Sequence, residues 1–364
     1  MKENWMKRAL DLAHKGWGTT NPNPLVGAVV VNNGRVVGEG YHERAGEAHA
    51  EVMALQQAGE YAKDADMYVT LEPCCHCGRT PPCTQAIVRS GIRKVFVAMK
   101  DPNPRVAGGG IGQLKAHGIE VETGILEKEA ESLNEIFVHY ISNQTPYMIY
   151  KAAMSLDGKT AAVGGHSQWI TGETARKHVH EFRHRVSAVM VGIETVLKDD
   201  PLLTVRHIDS VTFQPYRIVA DSKGRIPLDA KMVTDQWAHR TIIATTEKMS
   251  HTKEQQLKEL GVVVIRTDLL NNRVHLVQLM KMLGKMEIDS ILLEGGSALA
   301  ADALKLNLIN RVMFYIAPKL IGGSHAPGVL AGDGIISVND SKMVREMKTM
   351  QLGEDLLITG KIGR

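Results

Sequence analysis

Apolar and polar positions switch between two periods from the start of the chain. Met6–Lys15 repeats at helical spacing, whereas Leu25–Val31 (LVGAVVV) and Arg35–Gly40 read as strands. Asn33-Gly34 joins them as a hairpin turn, because both residues tolerate the positive φ that a two-residue connection needs. Ala48–Gly59 returns to helical periodicity, and Met67–Leu71 (MYVTL) is a short buried strand. A helix over about Pro82–Arg89 follows, with proline at its opening and Gly91 past its end. Lys94–Met99 predicts a strand, a helix ends near His117, and Ile119–Thr123 predicts another strand. This alternation predicts one sheet covered by helices on both faces.

A last helix over about Glu127–Ile141 runs into Ser-Asn-Gln-Thr-Pro at 142–146, a polar cluster ending in Pro146 that marks a boundary. Alternation then restarts, with strands predicted at Tyr147–Met154, Ala188–Gly192, Arg217–Asp221 and Thr241–Thr245. Val262–Arg266, Ser290–Glu294 and Val312–Ala317 continue the series. The expected organisation is two α/β domains, residues 1–145 and 146–364, with no repeat between them. A chain of 364 residues suits two cores, since single cores stop growing at about 250 to 300 residues.

Composition narrows the partners more than the fold. Basic and acidic residues number 43 and 40, a balance of +3, and no basic run stands out. That argues for small-molecule substrates and against nucleic acid or an anionic membrane. The N-terminal segment MKENWMKRALDLAHKG is charged and amphipathic, unlike a signal peptide, and no stretch approaches eighteen apolar residues. The expectation is a cytoplasmic protein, and α/β enzymes of this size often assemble, so a homo-oligomer is expected as well.

All four cysteines, Cys74, Cys75, Cys77 and Cys83, fall within TLEPCCHCGRTPPC. In a reducing compartment clustered thiols bind metal or do chemistry more often than they form a disulfide such as Cys74–Cys83. Upstream lies His49-Ala50-Glu51 at a helix start. His-x-Glu followed by Pro-Cys and a further cysteine is the signature of zinc nucleobase deaminases. Three protein ligands leave a fourth tetrahedral position for water, and a carboxylate that is not a ligand must carry its proton. His49 fits a ligand and Glu51 that shuttle. Residues two apart do not share a helix face, so the metal should sit off the first turn. Spacing favours Cys74 with Cys77 as the other ligands, whereas helix placement favours Cys83, at a helix N-terminus where the dipole lowers a thiol's pKa. A closed structural zinc held by all of His49, Cys74, Cys77 and Cys83 is the non-enzymatic alternative, and a nucleotide or tRNA deaminase with an unrelated second domain is another.

EPCCHCGRTPPC resembles the E-P-C-x-H-x-G-x-T-P-P-C segment of the bifunctional riboflavin-biosynthesis deaminase/reductase family. NPNPLVGAVVV (21–31), GEAHAEV (46–52) and DPNPRVAGGG (101–110) resemble other segments of that family, and the likeness spans essentially the whole chain. The resemblance implies a cytidine-deaminase-like α/β/α domain followed by a reductase domain similar in fold to dihydrofolate reductase. It implies one zinc per chain, held by His49, Cys74 and Cys83, with Cys75 and Cys77 outside the family pattern. The implied first substrate is 2,5-diamino-6-ribosylamino-4(3H)-pyrimidinone 5′-phosphate. Asn23, His42, His76, Arg79, Asp101 and Asn103 fall in the matching loops; Arg79 and His42 suit phosphate or sugar, the amides and Asp101 suit ring and ribose edges.

In the second half, Lys151-Ala-Ala-Met-Ser-Leu-Asp-Gly-Lys159 resembles the opening strand of the family's reductase domain, and Trp169-Ile-Thr171 resembles a cofactor-contacting segment. LLEGGSALAADAL (292–304) is an apolar strand, a Gly-Gly turn and a helical pattern, which lets backbone amides approach a phosphate. No G-x-G-x-x-G follows an opening strand, which disfavours a standard dinucleotide-binding domain. The resemblance implies NADPH contacts from Met154, Trp169, Thr195, Asp199, Ser222 and Gly296, Ser297, Ala298, Leu299, Ala300, Ala301 and Asp302. It implies substrate contacts from Ser167, Arg183, Leu203, Arg206 and Glu294, the two arginines suiting a phosphate clamp. Lys151, Asp199 and Glu294 are expected to orient the opened sugar and manage protons during reduction.

Overall fold

The computed structural model describes residues 1–76, 81–103, 108–208, 211 and 213–363, so Cys77 and Arg79 lie outside the described residues. The chain divides into two compact units, Met1–Gln144 and Thr145–Arg364. In the first unit α1 (Lys2–Ala13) precedes the hairpin β1 (Gly27–Asn32) and β2 (Arg35–Tyr41), then α2 (Ala50–Ala58) and β3 (Asp66–Leu71). It continues through α3 (Cys83–Arg89), β4 (Lys94–Met99), α4 (Gly109–Ala116), β5 (Glu120–Thr123), α5 (Glu127–Leu133) and α6 (Glu135–Asn143).

The five strands run in the order β2-β1-β3-β4-β5, with β1 antiparallel to both neighbours and β3, β4 and β5 parallel. Asn33 and Gly34 take φ of 50° and 73°, as the hairpin turn requires. The expected single helix over Glu127–Ile141 is instead two, broken at Asn134. Asn134 is buried, and its side chain bonds both the N–H and the C=O of Leu25, so it serves the tertiary structure at the helix's expense.

Two glycines on β2 set the position of α2. A Cβ on Gly38 would stand 2.1 Å from Ala54 O, and one on Gly40 would stand 2.4 Å from Ala50 O. Bare backbone therefore brings α2, and with it the His49-Ala50-Glu51 start, directly onto the sheet.

The second unit begins with β6 (Tyr147–Ser155), α7 (Glu173–Arg183), β7 (Ala188–Gly192), α8 (Ile193–Asp199) and β8 (Tyr216–Ala220). Next come α9 (Lys231–Thr234), β9 (Thr241–Thr245), α10 (His251–Glu259), β10 (Val263–Arg266) and the short pair β11 (Leu269–Leu270) and β12 (Arg273–Val274). It ends with α11 (Leu276–Lys285), β13 (Ser290–Glu294), α12 (Ser297–Lys305), β14 (Ile309–Ala317), β15 (Val344–Leu352) and β16 (Asp355–Ile362).

Nine strands form the order β10-β9-β8-β7-β13-β6-β14-β16-β15, parallel from β10 to β14 and antiparallel over the last two. Along β7, Ala188 and Met190 enter one apolar core while Val189 and Val191 enter another. The sheet is thus covered on both faces, as near-continuous apolar strands demand. β15 and β16 are absent from the expected series, which stops at Val312–Ala317. Most of β15 is exposed, so no buried face imprints a period of two on its sequence. Among the described residues, no helix is long and apolar enough to cross a membrane.

Candidate active sites

Three chain segments converge at the first site. His49 is the extended residue that caps α2, with φ −76° and ψ 159°, so its ring leaves the helix before the first turn. Glu51 follows inside that turn and is 3% exposed. Cys74 lies just past β3, and Cys83 opens α3. His49 Nδ1 lies 3.1 Å from Cys83 Sγ and 3.6 Å from Cys74 Sγ. The Cys83 N–H donates to Cys74 Sγ at 3.3 Å, which ties the start of α3 to the β3 loop.

The three donor atoms lie within 4.8 Å of one another. Ordinary zinc bonds in a tetrahedron hold nitrogen and sulfur donors about 3.5 Å apart, so the set fits zinc. A thiol bond from Cys83 holds Cys74 down to about 4 against the cost of burial, with His49 adding to the effect. Cys83 is pushed up by the Cys74 sulfur and by burial. Cys74, Cys75 and Cys83 are free thiols in this structure.

Glu51 adds a second observation. Burial pushes its carboxyl up, against the nearby His49, and Oε2 has no hydrogen-bond partner. A buried, unsatisfied carboxyl oxygen is costly unless a partner arrives. Its place beside the donor set suits water or a substrate nitrogen.

The surrounding loops hold the other expected residues. His42 is buried, which lowers its pKa. Its Nδ1 faces Ala48 O at 3.2 Å and its Nε2 faces Asn23 Nδ2 at 3.1 Å, so the neutral ring donates through Nδ1 and accepts at Nε2. Asp101 accepts the Asn103 N–H at 2.8 Å, and burial raises its pKa. His76 is exposed, and its charge acts on Asp101.

Glu72 was not foreseen. Its buried carboxylate accepts the N–H groups of Asp101 (3.3 Å), Gly108 (3.1 Å), Gly110 (3.1 Å) and Ile111 (3.2 Å). One side chain from the end of β3 therefore caps α4 and anchors the loop that carries Asp101 and Asn103. Its place before Pro73-Cys74 was the available signal, masked by the cysteines themselves.

The second site lies at the carboxyl ends of parallel strands, where open α/β sheets bind ligands. Lys151 on β6 and Glu294 on β13 are register partners. Glu294 is 7% exposed and takes a bidentate pair from Arg183, Nε at 2.6 Å and Nη2 at 2.9 Å, while Lys151 Nζ stands 3.5 Å away. Burial alone would raise its pKa; Arg183 and Lys151 outweigh this and hold it at about 2. Arg183 Nη1 also donates to Thr204 O at 3.1 Å. Of the two arginines expected at the substrate phosphate, Arg183 is thus engaged by Glu294 and the Thr204 backbone, whereas Arg206 is exposed. Leu203 is buried with φ of 52°.

His180 joins this cluster without having been foreseen. The Arg206 N–H donates to its Nδ1 at 3.2 Å, and burial, with Arg183 and Arg206, lowers its pKa to about 4. Its one sequence signal is a place three residues before Arg183, on the same helix face.

A cavity of about 540 Å³ beside these residues is lined by Thr195, Ser222, Gly296, Ala298, Leu299 and Asp302, with Lys223, Arg225 and Arg273. Its size and its Gly-Gly turn with cationic flanks suit a dinucleotide. Ser297, Ala300 and Ala301 do not line it, and Ala300 is buried in the core, because successive residues of α12 face different ways. Met154 on β6 is half-buried, as is Ser167 in the loop before α7. Trp169 is exposed with the Arg176 guanidinium 4.6 Å from its ring centre. Asp199 is exposed at the end of α8 and is not ion-paired with the Lys151–Glu294 cluster.

Comparison with known proteins agrees with both halves. Residues 1–99 match the cytidine and deoxycytidylate deaminase zinc-binding region, and residues 146–358 match the RibD C-terminal domain. The chain is 48% identical over 355 residues to riboflavin biosynthesis protein RibD of Actinobacillus pleuropneumoniae, covering 98% of this chain and 94% of that protein. It is 42% identical over 367 residues to the RibD of Escherichia coli K12, covering 98% of each. The solved structure of Acinetobacter baumannii RibD, form 1, is similar with a TM-score of 0.89 at 38% identity, covering 100% of this chain and 99% of that one. A diaminohydroxyphosphoribosylaminopyrimidine deaminase/5-amino-6-(5-phosphoribosylamino)uracil reductase from Thermotoga maritima gives 0.85 at 36%, with the same coverage.

Fold and sites together define a bifunctional enzyme, a zinc-dependent deaminase joined to an NADPH-dependent reductase. The chain belongs to the RibD family of riboflavin biosynthesis proteins.

Proposed function

We propose that the first unit hydrolyses the amino group of 2,5-diamino-6-ribosylamino-4(3H)-pyrimidinone 5′-phosphate. The second unit then reduces 5-amino-6-(5-phosphoribosylamino)uracil to its ribitylamino product. The observation that carries the first step is the unpartnered Glu51 Oε2 beside His49, Cys74 and Cys83. These three residues would hold a zinc ion, which would supply a Lewis acid able to activate water near neutral pH. Glu51 would take up one proton of the water at Oε2 and deliver it to the ring nitrogen, then carry the second to the departing amine. Asn23 and His42 form one polar wall, Asp101 and Asn103 another, with His76 and Arg79 assigned to substrate by their matching loops.

In the second unit NADPH supplies the reducing equivalents. Glu294, kept ionised by Arg183 and Lys151, orients Lys151 Nζ toward the opened sugar, whose oxygen it can hydrogen-bond. Arg206, exposed beside His180, binds the substrate phosphate. Ser167 and Leu203 line the substrate, and Met154, Trp169 and Asp199 remain assigned to cofactor. The same reading places a homo-oligomer in the cytoplasm, where free thiols persist, acting on small molecules and not on nucleic acid.

Glu51→Gln is the test. Deamination should fall by at least about 10²-fold, the low end of general acid–base catalysis, while zinc stays bound. Given the deaminated intermediate, the variant should oxidise NADPH at close to the wild-type rate. Loss of that reduction with zinc and fold intact would overturn the assignment of independent sites.

A further inference from the structure

We infer that His180 is a further substrate-binding residue of the reductase, its Nε2–H donating to the substrate phosphate beside Arg206; the inference rests on the reductase reading above. Arg206 stands on Leu203–His207, a segment that is neither helix nor strand. Leu203 and His207 bracket it with φ of 52° and 63°, a left-handed backbone that bulky residues hold only where the surroundings impose it. Side chains bonded to the segment's peptide groups do the imposing. Arg183 donates to Thr204 O at 3.1 Å, and Gln214 accepts the Val205 N–H at 2.7 Å while donating to Val205 O at 3.1 Å. His180 Nδ1 accepts the Arg206 N–H at 3.2 Å. The Arg206 guanidinium is therefore presented from a fixed backbone. Arg183 also bonds Glu294, which ties this segment to the Lys151–Glu294 end of the site.

Holding one backbone N–H needs only an acceptor, and a histidine offers more. With Nδ1 accepting, the hydrogen of the neutral imidazole sits on Nε2. Burial, with Arg183 and then Arg206 beside it, lowers the ring's pKa to about 4, so it is neutral at pH 7. Glu294 and His207 are the other titratable groups near it, and the His207 ring packs edge-on with centroids 5.1 Å apart. His180 is 8% exposed, and its Nε2 has no hydrogen-bond partner among the described residues. That nitrogen is nevertheless not one of the fully enclosed polar atoms, so a ligand can reach it. His180 precedes Arg183 by three residues on one face of α7, and its other nitrogen is bonded to Arg206. The free N–H thus opens where two guanidinium groups gather positive potential. An anion drawn in by Arg206 meets an aligned donor that adds no third charge to the cluster. A phosphate monoester, with its negative charge and several acceptor oxygens, fits that pairing; a sugar hydroxyl or the uracil ring does not call for it.

The test compares 5-amino-6-(5-phosphoribosylamino)uracil with its dephosphorylated counterpart in steady-state reduction by the full-length protein. His180→Asn keeps an acceptor for the Arg206 N–H, but its amide is too short to reach the Nε2 position. KM for the phosphorylated substrate should rise by on the order of tenfold to a hundredfold, the loss of one hydrogen bond to a charged group. For the dephosphorylated substrate kcat/KM should stay within about twofold of wild type, as should the KM of NADPH. His180→Gln is long enough to donate from the Nε2 position and should bring the phosphorylated substrate back to within about threefold of wild type. Equal loss for both substrates, no loss for the phosphorylated one, or a glutamine variant as weak as the asparagine variant overturns the inference. A matching rise in the KM of NADPH would assign His180 a structural role and overturn it equally. If wild type oxidises NADPH with the phosphorylated substrate while both variants do so unchanged, His180 alone is misassigned. A wild-type protein that does not oxidise NADPH with that substrate would overturn the reductase reading beneath it.

Discussion

Replacing Arg183 by methionine isolates the ion cluster that holds the reductase site. Its guanidinium makes two bonds to a carboxylate that is 7% exposed, and Lys151 at 3.5 Å cannot replace that geometry. Glu294 is held at about 2, against an ordinary 4.5. That depression corresponds to about 3 kcal/mol of stabilisation, in line with the roughly 3–5 kcal/mol lost when one partner of a buried pair is removed. The pH dependence has a definite sign. A carboxylate with a lowered folded-state pKa stabilises fully above its unfolded value, and the contribution fades as pH falls from about 4.5 toward 2.

Arg183→Met should therefore destabilise the second unit by about 3 kcal/mol at pH 7, and its deficit against wild type should narrow on the acid side only. Hydrogen exchange on peptides from β6 and β13 reads this unit separately from the first, which a single melting curve would not. Adding Glu294→Gln removes the stranded charge and should restore about 2 kcal/mol. A loss below about 1 kcal/mol, or a double variant no more stable than Arg183→Met, would refute the cluster as the unit's electrostatic keystone.

Metal analysis separates the cysteines: Cys83→Ser should lose most of the zinc and Cys75→Ser should keep it, and the reverse order would sink the ligand assignment. Glu72→Gln puts a neutral amide in place of a carboxylate that accepts four N–H groups, so the loop and α4 should loosen by about 2 kcal/mol. Faster exchange across 108–116 with unchanged zinc content is the expected result, together with a raised KM for deamination. Unchanged exchange there would show that Glu72 does not anchor α4.

The sequence alone carried the elements whose identity is local. Asn33-Gly34 determined a hairpin because few residue pairs adopt two successive positive φ angles. The apolar runs of β3, β4, β7 and β13 determined buried strands because both of their faces need cover. His49-Ala50-Glu51 and the Pro-Cys frame determined a zinc chemistry, since ligand types and a non-ligating carboxylate are written in residue identity.

What the sequence left open depends on which atoms meet. Spacing favoured Cys77 and helix placement Cys83; the structure brings Cys83, at the start of α3, to 3.1 Å from His49, while Cys77 lies outside the described residues. Arg183 and Arg206 look alike in sequence, yet Glu294 on a distant strand engages the first and leaves the second exposed. Glu72 and Asn134 read as an ordinary polar pair until the fold buries them against backbone groups far along the chain. Residue type fixes which chemistry is available; the long-range closure of two sheets decides which groups are desolvated, paired and free to act.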